Sequence, residues 1–163
     1  MNRGIFTSKD VALLPVRAAI GSAMLYHGTQ KAKSEGAAQV GPWFESLGIS
    51  PGERWARATG IAETTAGLLF VLGVGTRIAA LAVLVTQAVA LLKVHGPKGF
   101  DNTKGGFEYN LSLMAIALAL LAAGPGKLSA HEALEHSVEG RGWARAWRKR
   151  KQGLLISFIK LLK

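Results

Sequence analysis

Ile78-Ala-Ala-Leu-Ala-Val-Leu-Val-Thr-Gln-Ala-Val-Ala-Leu-Leu92 decides the fold class, because it is apolar around its whole circumference except at Gln87. A helix of a soluble bundle carries one apolar stripe and one charged face. This stretch has no charged face, and neither has Leu111 to Ala123, apolar except at Ser112. Hydrocarbon is the solvent such helices require. Working outward, four segments read as membrane helices: Val11 to Gln30, Trp55 to Val74, Ile78 to Lys93 and Tyr109 to Ala123. Only Gly73-Val74-Gly75-Thr76-Arg77 separates the second from the third, which predicts a tight helical hairpin. The uninterrupted apolar cores run to ~13–16 residues, whereas a span needs about 20. Flanking Gly, Thr and Tyr and snorkelling Lys make up the difference, and the fourth helix is expected to continue to about Lys127, past Pro125.

Composition supports the same reading. Of the 163 residues 49% are apolar, yet the net charge is +10 and the mean hydropathy +0.24. These agree only if charge is segregated from the apolar stretches, as a bilayer demands: an ionised side chain at midplane costs about 2.5–3.5 kcal/mol on insertion scales. The expected architecture is an all-α integral membrane four-helix bundle over residues 1–130, followed by a basic amphipathic tail over 131–163. The absence of Cys excludes disulfides, thiolate metal sites and thiol redox chemistry. Met1 to Asp10 superficially resembles the start of a signal peptide, but Arg17 interrupts the apolar stretch and no small-x-small cleavage site follows, so cleavage is not expected.

Orientation follows from Lys and Arg in the connections. Four spans place both termini and Arg77 on one side, and the tail holds the densest basic cluster, so that side is the cytoplasm of a bacterial inner membrane. The connections Lys31 to Arg54 and His95 to Glu108 then lie outside. In the first of these, Gly36, Gly41-Pro42, Gly48 and Ser50-Pro51-Gly52 read as turns, with a short interfacial helix between them whose Trp43 and Phe44 anchor at headgroup level. The tail from Arg141 to Lys163 contains no acid, and Leu154, Leu155, Phe158 and Leu162 recur at helical spacing. It is expected to lie on anionic lipid; nucleic-acid binding is not expected of a tail tethered to a membrane anchor.

Ionisable residues within the spans carry the functional information, since something must offset the insertion cost of each. Besides Arg17 they are His27 and Lys31 ending the first helix, Glu63 in the second, Lys93 and His95 ending the third and Glu108 opening the fourth, with Gln87 as the uncharged member. In the proposed topology all but Arg17 fall in the outer half. Gly21, Met24, His27, Gly28 and Lys31 share a helical stripe, as do Gly60, Glu63 and Gly67, and as do Glu108, Ser112, Ala115 and Ala119; each is expected to face inward. The resulting polar pocket would relay protons, hold a quinone headgroup or ligate a metal, although no pair within one helix has metal-ligand spacing. A structural reading stays open beside these: Glu63 pairs with Lys31 or Arg57, the histidines cap helix ends, and Arg17 snorkels or pairs with Asp10.

Several runs together resemble the DoxX family. They are Leu14-Pro-Val-Arg17 through Met24-Leu-Tyr-His27-Gly28-Thr-Gln-Lys31; Gly60-Ile-Ala-Glu63-Thr-Thr-Ala-Gly67; Leu72-Gly-Val-Gly-Thr-Arg77; Gly105-Gly106-Phe-Glu108-Tyr109-Asn-Leu; and Gly124-Pro125-Gly126-Lys-Leu-Ser129. The resemblance covers residues 11 to 130; the tail lies outside it. The family's prototype is the small membrane subunit of an archaeal thiosulfate:quinone oxidoreductase, and other members associate with redox or detoxification proteins. The resemblance therefore implies a membrane subunit of a quinone-linked oxidoreductase with a protein partner. Arg17, His27, Lys31, Glu63, Arg77 and Glu108 match the family's recurring polar pattern. On this reading Glu63, His27 and His95 handle quinone or protons, Lys31, Gln87, Glu108 and Tyr109 contact the cofactor, and Arg17 and Arg77 are structural. The alternative is a non-catalytic membrane anchor whose tail recruits a soluble protein.

Overall fold

Thr7 starts the first helix with a reciprocal cap. Its hydroxyl accepts from the Asp10 amide at 3.3 Å, and the Asp10 carboxylate accepts from the Thr7 amide at 2.9 Å. A computed structural model describes residues 7–140 and 156–162, and the described residues are all helix and connecting loop. The helices are α1 (Ser8–Ala32), α2 (Ser34–Ser46), α3 (Gly52–Leu72), α4 (Thr76–Ala90), α5 (Glu108–Ala123) and α6 (Ala130–Gly140). A π-helical turn, Leu91–His95, and a 3-10 turn, Gly96–Lys98, prolong α4.

α1 and α3 run antiparallel at close range because glycine lines both sides of the seam. A β-carbon on Gly28 would lie 2.5 Å from the Thr64 amide nitrogen, and one on Gly67 would lie 2.8 Å from the Gly21 carbonyl oxygen. Small residues permit such an approach, and dispersion then holds the pair where hydrocarbon supplies no hydrophobic drive. The expected hairpin joins α3 to α4: Gly73 and Gly75 take φ of 68° and 59°, and the Val74 amide donates to the Leu69 carbonyl at 3.0 Å. α4 packs in turn on α5, and Ile20, Met24, Phe70, Val83, Leu113 and Leu120 meet in the core.

Two expectations need correcting. Gly36 and Gly41-Pro42 are not turns but lie inside α2, a longer helix than the sequence suggested. Glycine serves contact there: a β-carbon on Gly41 would lie 2.9 Å from the Glu53 amide nitrogen, and α2 is tied to α3 where the Gly52 amide donates to Glu45 Oε1 at 3.1 Å. The helix after Glu108 does not reach Lys127. Gly124 at φ 71°, Pro125, which has no amide hydrogen, and Gly126 at φ 75° stop it at Ala123.

The segment Thr76–Lys98, 23 residues containing an 18-residue stretch of mean hydropathy 1.9, is long and apolar enough to cross a bilayer, and α5 is a shorter apolar helix. Ile61, Leu68, Ile78, Leu81, Val85 and Leu118 are all about half exposed, an outward apolar surface that lipid solvates and water does not. α6 opens at Ser129, whose hydroxyl accepts from the Glu132 amide at 3.3 Å, so a helix boundary falls beside the expected start of the tail. Residues 156–161 are helical with Phe158 and Leu161 exposed; the rest of the basic tail, including Trp143 and Trp147, lies outside the described residues.

Candidate functional site

A cavity of about 540 Å³ lies between α2, α3, α4 and α5 beside the C-terminal end of α1. Its wall is mainly apolar, with Trp43, Phe44, Leu47 and Ile49 from α2 and its exit, Trp55 from α3, and Val85 and Val89 from α4. Set into that wall are His27, Lys31, Glu63, Gln87, His95 and Tyr109, so six of the residues singled out from the sequence converge on one space. An apolar cavity with a few convergent polar groups is the usual form of a small-molecule site.

α1 and α3 supply the charges. Lys31, in the last turn of α1, places Nζ 2.6 Å from Glu63 Oε2, a close ion pair without aligned hydrogen-bond geometry. The Glu63 side chain is 5% exposed and that of Lys31 22%, so the carboxylate is buried and the lysine side chain partly exposed. Of the alternatives for Glu63, Lys31 is the partner and Arg57 is not. Close contact of Gly60 with the backbone of Lys31 and Ala32 brings the two helices near enough for the pair to form.

α4 and α5 supply neutral groups. Asn110 Nδ2 donates to Gln87 Oε1 at 2.8 Å, with both side chains buried. Asn110 lines the cavity too and was not among the expected site residues. Its signal was legible: Asn110, Leu113, Ala117 and Leu120 stand at helical spacing and form the buried face of α5. The predicted inward face, Glu108, Ser112, Ala115 and Ala119, is exposed throughout. A helix apolar on every side has no moment to orient it, so one small-residue stripe was no guide. Glu108 accordingly does not line the cavity; its carboxylate meets the Asn102 amide at 3.4 Å.

His95 is held by a loop. The π turn delivers its ring to the cavity, and Nδ1 lies 2.7 Å from the Gly105 carbonyl oxygen. A carbonyl only accepts, so Nδ1 carries the hydrogen and Nε2 is left for another partner. Phe107 and Glu108 amides donate to the Gly99 and Phe100 carbonyls at 3.0 Å, fixing that loop, and the Phe100 and Phe107 rings pack edge to face. Within it the Thr103 hydroxyl and amide donate to Asp101 and hold its carboxyl below the usual range. His27 is exposed at the rim, its ring 5.2 Å from that of Tyr26 and 6.4 Å from that of Tyr109.

Arg17 and Arg77 stand elsewhere. Arg77 is exposed at the start of α4, and Lys93 is exposed in the π turn. Arg17 is 2% exposed and neither snorkels nor pairs with Asp10. Its guanidinium donates to the Pro125 carbonyl and, at 2.7 Å, to the Leu128 carbonyl, because Gly124 and Gly126 turn that backbone toward it; Asp10 instead accepts from the Lys127 amide at 2.8 Å.

The family model described as DoxX matches residues 12–96. The chain is 32% identical over 129 residues to "Uncharacterized membrane protein Rv3486" of Mycobacterium tuberculosis, covering 72% of this chain and 78% of that protein. No solved structure matches. The matched stretch carries His27, Lys31, Glu63, Gln87 and His95 of the cavity wall, and the chain belongs to the DoxX family of membrane proteins.

Proposed function

We propose that this chain spans the inner membrane four times, with both termini cytoplasmic, and serves as the membrane subunit of a quinone-linked oxidoreductase that binds a quinone headgroup in the cavity. One observation carries the reading: charged, imidazole, amide and phenol groups from α1, α3, α4, α5 and the π turn converge on a single, otherwise apolar space. The wall fits such a ligand. Trp43, Phe44 and Trp55 offer flat apolar surface to a ring, while Lys31, Tyr109 and protonated His95 are donors for carbonyl oxygens. Lys31 and Glu63 neutralise one another, so the site favours an uncharged headgroup over an oxyanion.

When bound, a quinone supplies a two-electron carrier soluble in the bilayer; the electrons come from a protein partner. The chain's own residues orient the headgroup and manage protons. His95 Nε2, with Nδ1 committed to the Gly105 carbonyl, takes up or gives a proton without turning its ring. Glu63 holds Lys31 at the wall. Gln87 and Asn110 hold each other in place and keep the far wall from collapsing.

The reading is tested by quinone quenching of Trp43 and Trp55 in lipid nanodiscs, using protein with Trp143→Phe and Trp147→Phe so that only cavity indoles emit. A short-chain quinone should quench saturably, and Glu63→Gln or His95→Ala should weaken binding about tenfold, the loss of one charge-assisted contact. Quenching that rises linearly with quinone, equal in wild type and variants, overturns it.

A further inference from the structure

The cavity's rim is as informative as its polar end. Trp43, Trp55, Val85 and Val89 line the cavity and are also 47%, 53%, 64% and 46% exposed, so together they mark its mouth. On α4 the mouth is Val85 and Val89, four apart on one stripe. They lie about 14 and 20 Å along Thr76–Lys98 at ~1.5 Å per residue, against a hydrocarbon core of about 30 Å. A span of that length puts Val85 near the midplane. Lys31 and His95, by contrast, sit at the outer ends of α1 and of the α4 extension. Lys31 and His95 therefore mark a polar end near the membrane surface, and the opening at hydrocarbon depth is aliphatic; Gln87, at the same depth, is buried and held by Asn110, so the opening matches the tail of a lipid-tailed molecule and the polar end its headgroup.

We propose that the ligand enters sideways from the bilayer and that its isoprenoid or alkyl tail leaves the cavity over Val85 and Val89. The proposal rests on the quinone reading for the headgroup and adds the tail and its route. Because a tail lying in hydrocarbon is already out of water, seating it over Val85 adds packing and little more. Its signature is thus steric and positional rather than a gain in affinity.

The native chain has no cysteine, so Val85→Cys accepts a single spin label, and Leu118→Cys, exposed on α5 away from the cavity, is its control. In nanodiscs a long-tailed quinone homologue should slow the label at 85 and leave that at 118 unchanged, while a tail-less homologue should slow neither. Val85→Trp should weaken saturable binding of the long-tailed homologue at least tenfold and that of the tail-less one less than twofold. Labels at 85 and 118 that respond alike, or a Val85→Trp variant that affects both homologues equally, overturn the route while leaving headgroup binding intact. If the tail-less homologue shows no saturable binding to the unlabelled protein, the route falls together with the functional reading.

Discussion

α1 carries a cation toward each of its ends, and the two are treated oppositely. Lys31, in the last turn, is answered by a carboxylate and borders a cavity of about 540 Å³. Arg17, in the N-terminal half, is answered by the backbone carbonyls of Pro125 and Leu128, with the Gly73 turn packed against its guanidinium. A neutralised pair beside open volume keeps its remaining hydrogen-bonding capacity for a ligand. A guanidinium whose two terminal nitrogens both bond the chain's own backbone is a staple, closing α1 onto the α5–α6 turn. The Lys31 region is accordingly where substitution should change binding, and the Arg17 region where it should change folding.

The largest effect is expected at Arg17. Arg17→Met keeps much of the stem but removes both donors, leaving two carbonyls unpaired where hydrogen bonds to a charged group are worth about 1.5–3 kcal/mol each. We expect destabilisation of about 3–5 kcal/mol, or roughly 10 °C in thermal midpoint for a chain of this size, read by intrinsic fluorescence in detergent. Quinone quenching by the protein that remains folded should be unchanged. A midpoint within about 1 °C of wild type would break the comparison, because Arg17 would then be no staple.

An intermediate effect sharpens it at the Gln87–Asn110 pair, which is buried like Arg17 yet borders the cavity like Glu63. Asn110→Leu alone strands the Gln87 amide and should cost about 1–2 kcal/mol, whereas Gln87→Leu with Asn110→Leu removes both partners and should return most of it. A double variant that regains its midpoint but still fails to bind quinone assigns the pair to the cavity. If binding returns along with stability, the pair belongs with Arg17 as packing.

What could be read from the sequence divides along the same line. The α3–α4 hairpin, the all-helical class and the clustering of Lys31, Glu63, Gln87 and His95 followed from apolar runs, glycines and the insertion cost of each polar group. Those are local signals, each carried by residues near one another in the chain. The Arg17 staple was not legible, since its acceptors are backbone atoms more than a hundred residues away and every residue has a carbonyl. The buried face of α5 escaped notice because Leu and Ala occupy all its sides, leaving Asn110 as the one informative position. Gly36 and Gly41 were read as turns because a glycine kept for close contact and a glycine kept for a turn look identical in one dimension.

The smallest expected effect is a pH dependence confined to the Arg17 region. Asp10 accepts first from the Lys127 amide and then from the Thr7 hydroxyl and amide, and these bonds lower its pKa from 3.8 to about 2. Because the folded-state value is depressed, the carboxylate's contribution is complete above the unfolded value, shrinks as pH falls below about 4, and is gone once pH passes below about 2. It should be modest, since Asp10 sits in the first turn beside exposed Ser8 and Lys9, where water competes for the charge. Asp10→Asn keeps the shape and loses the titration. Thermal midpoints across this acid range should show wild type above the variant near pH 5 and the two converging as pH approaches 2. A gap that stays constant would mean that the Asp10 charge does not hold the Lys127 turn, and the clamp on the 125–128 backbone would then rest on Arg17 alone.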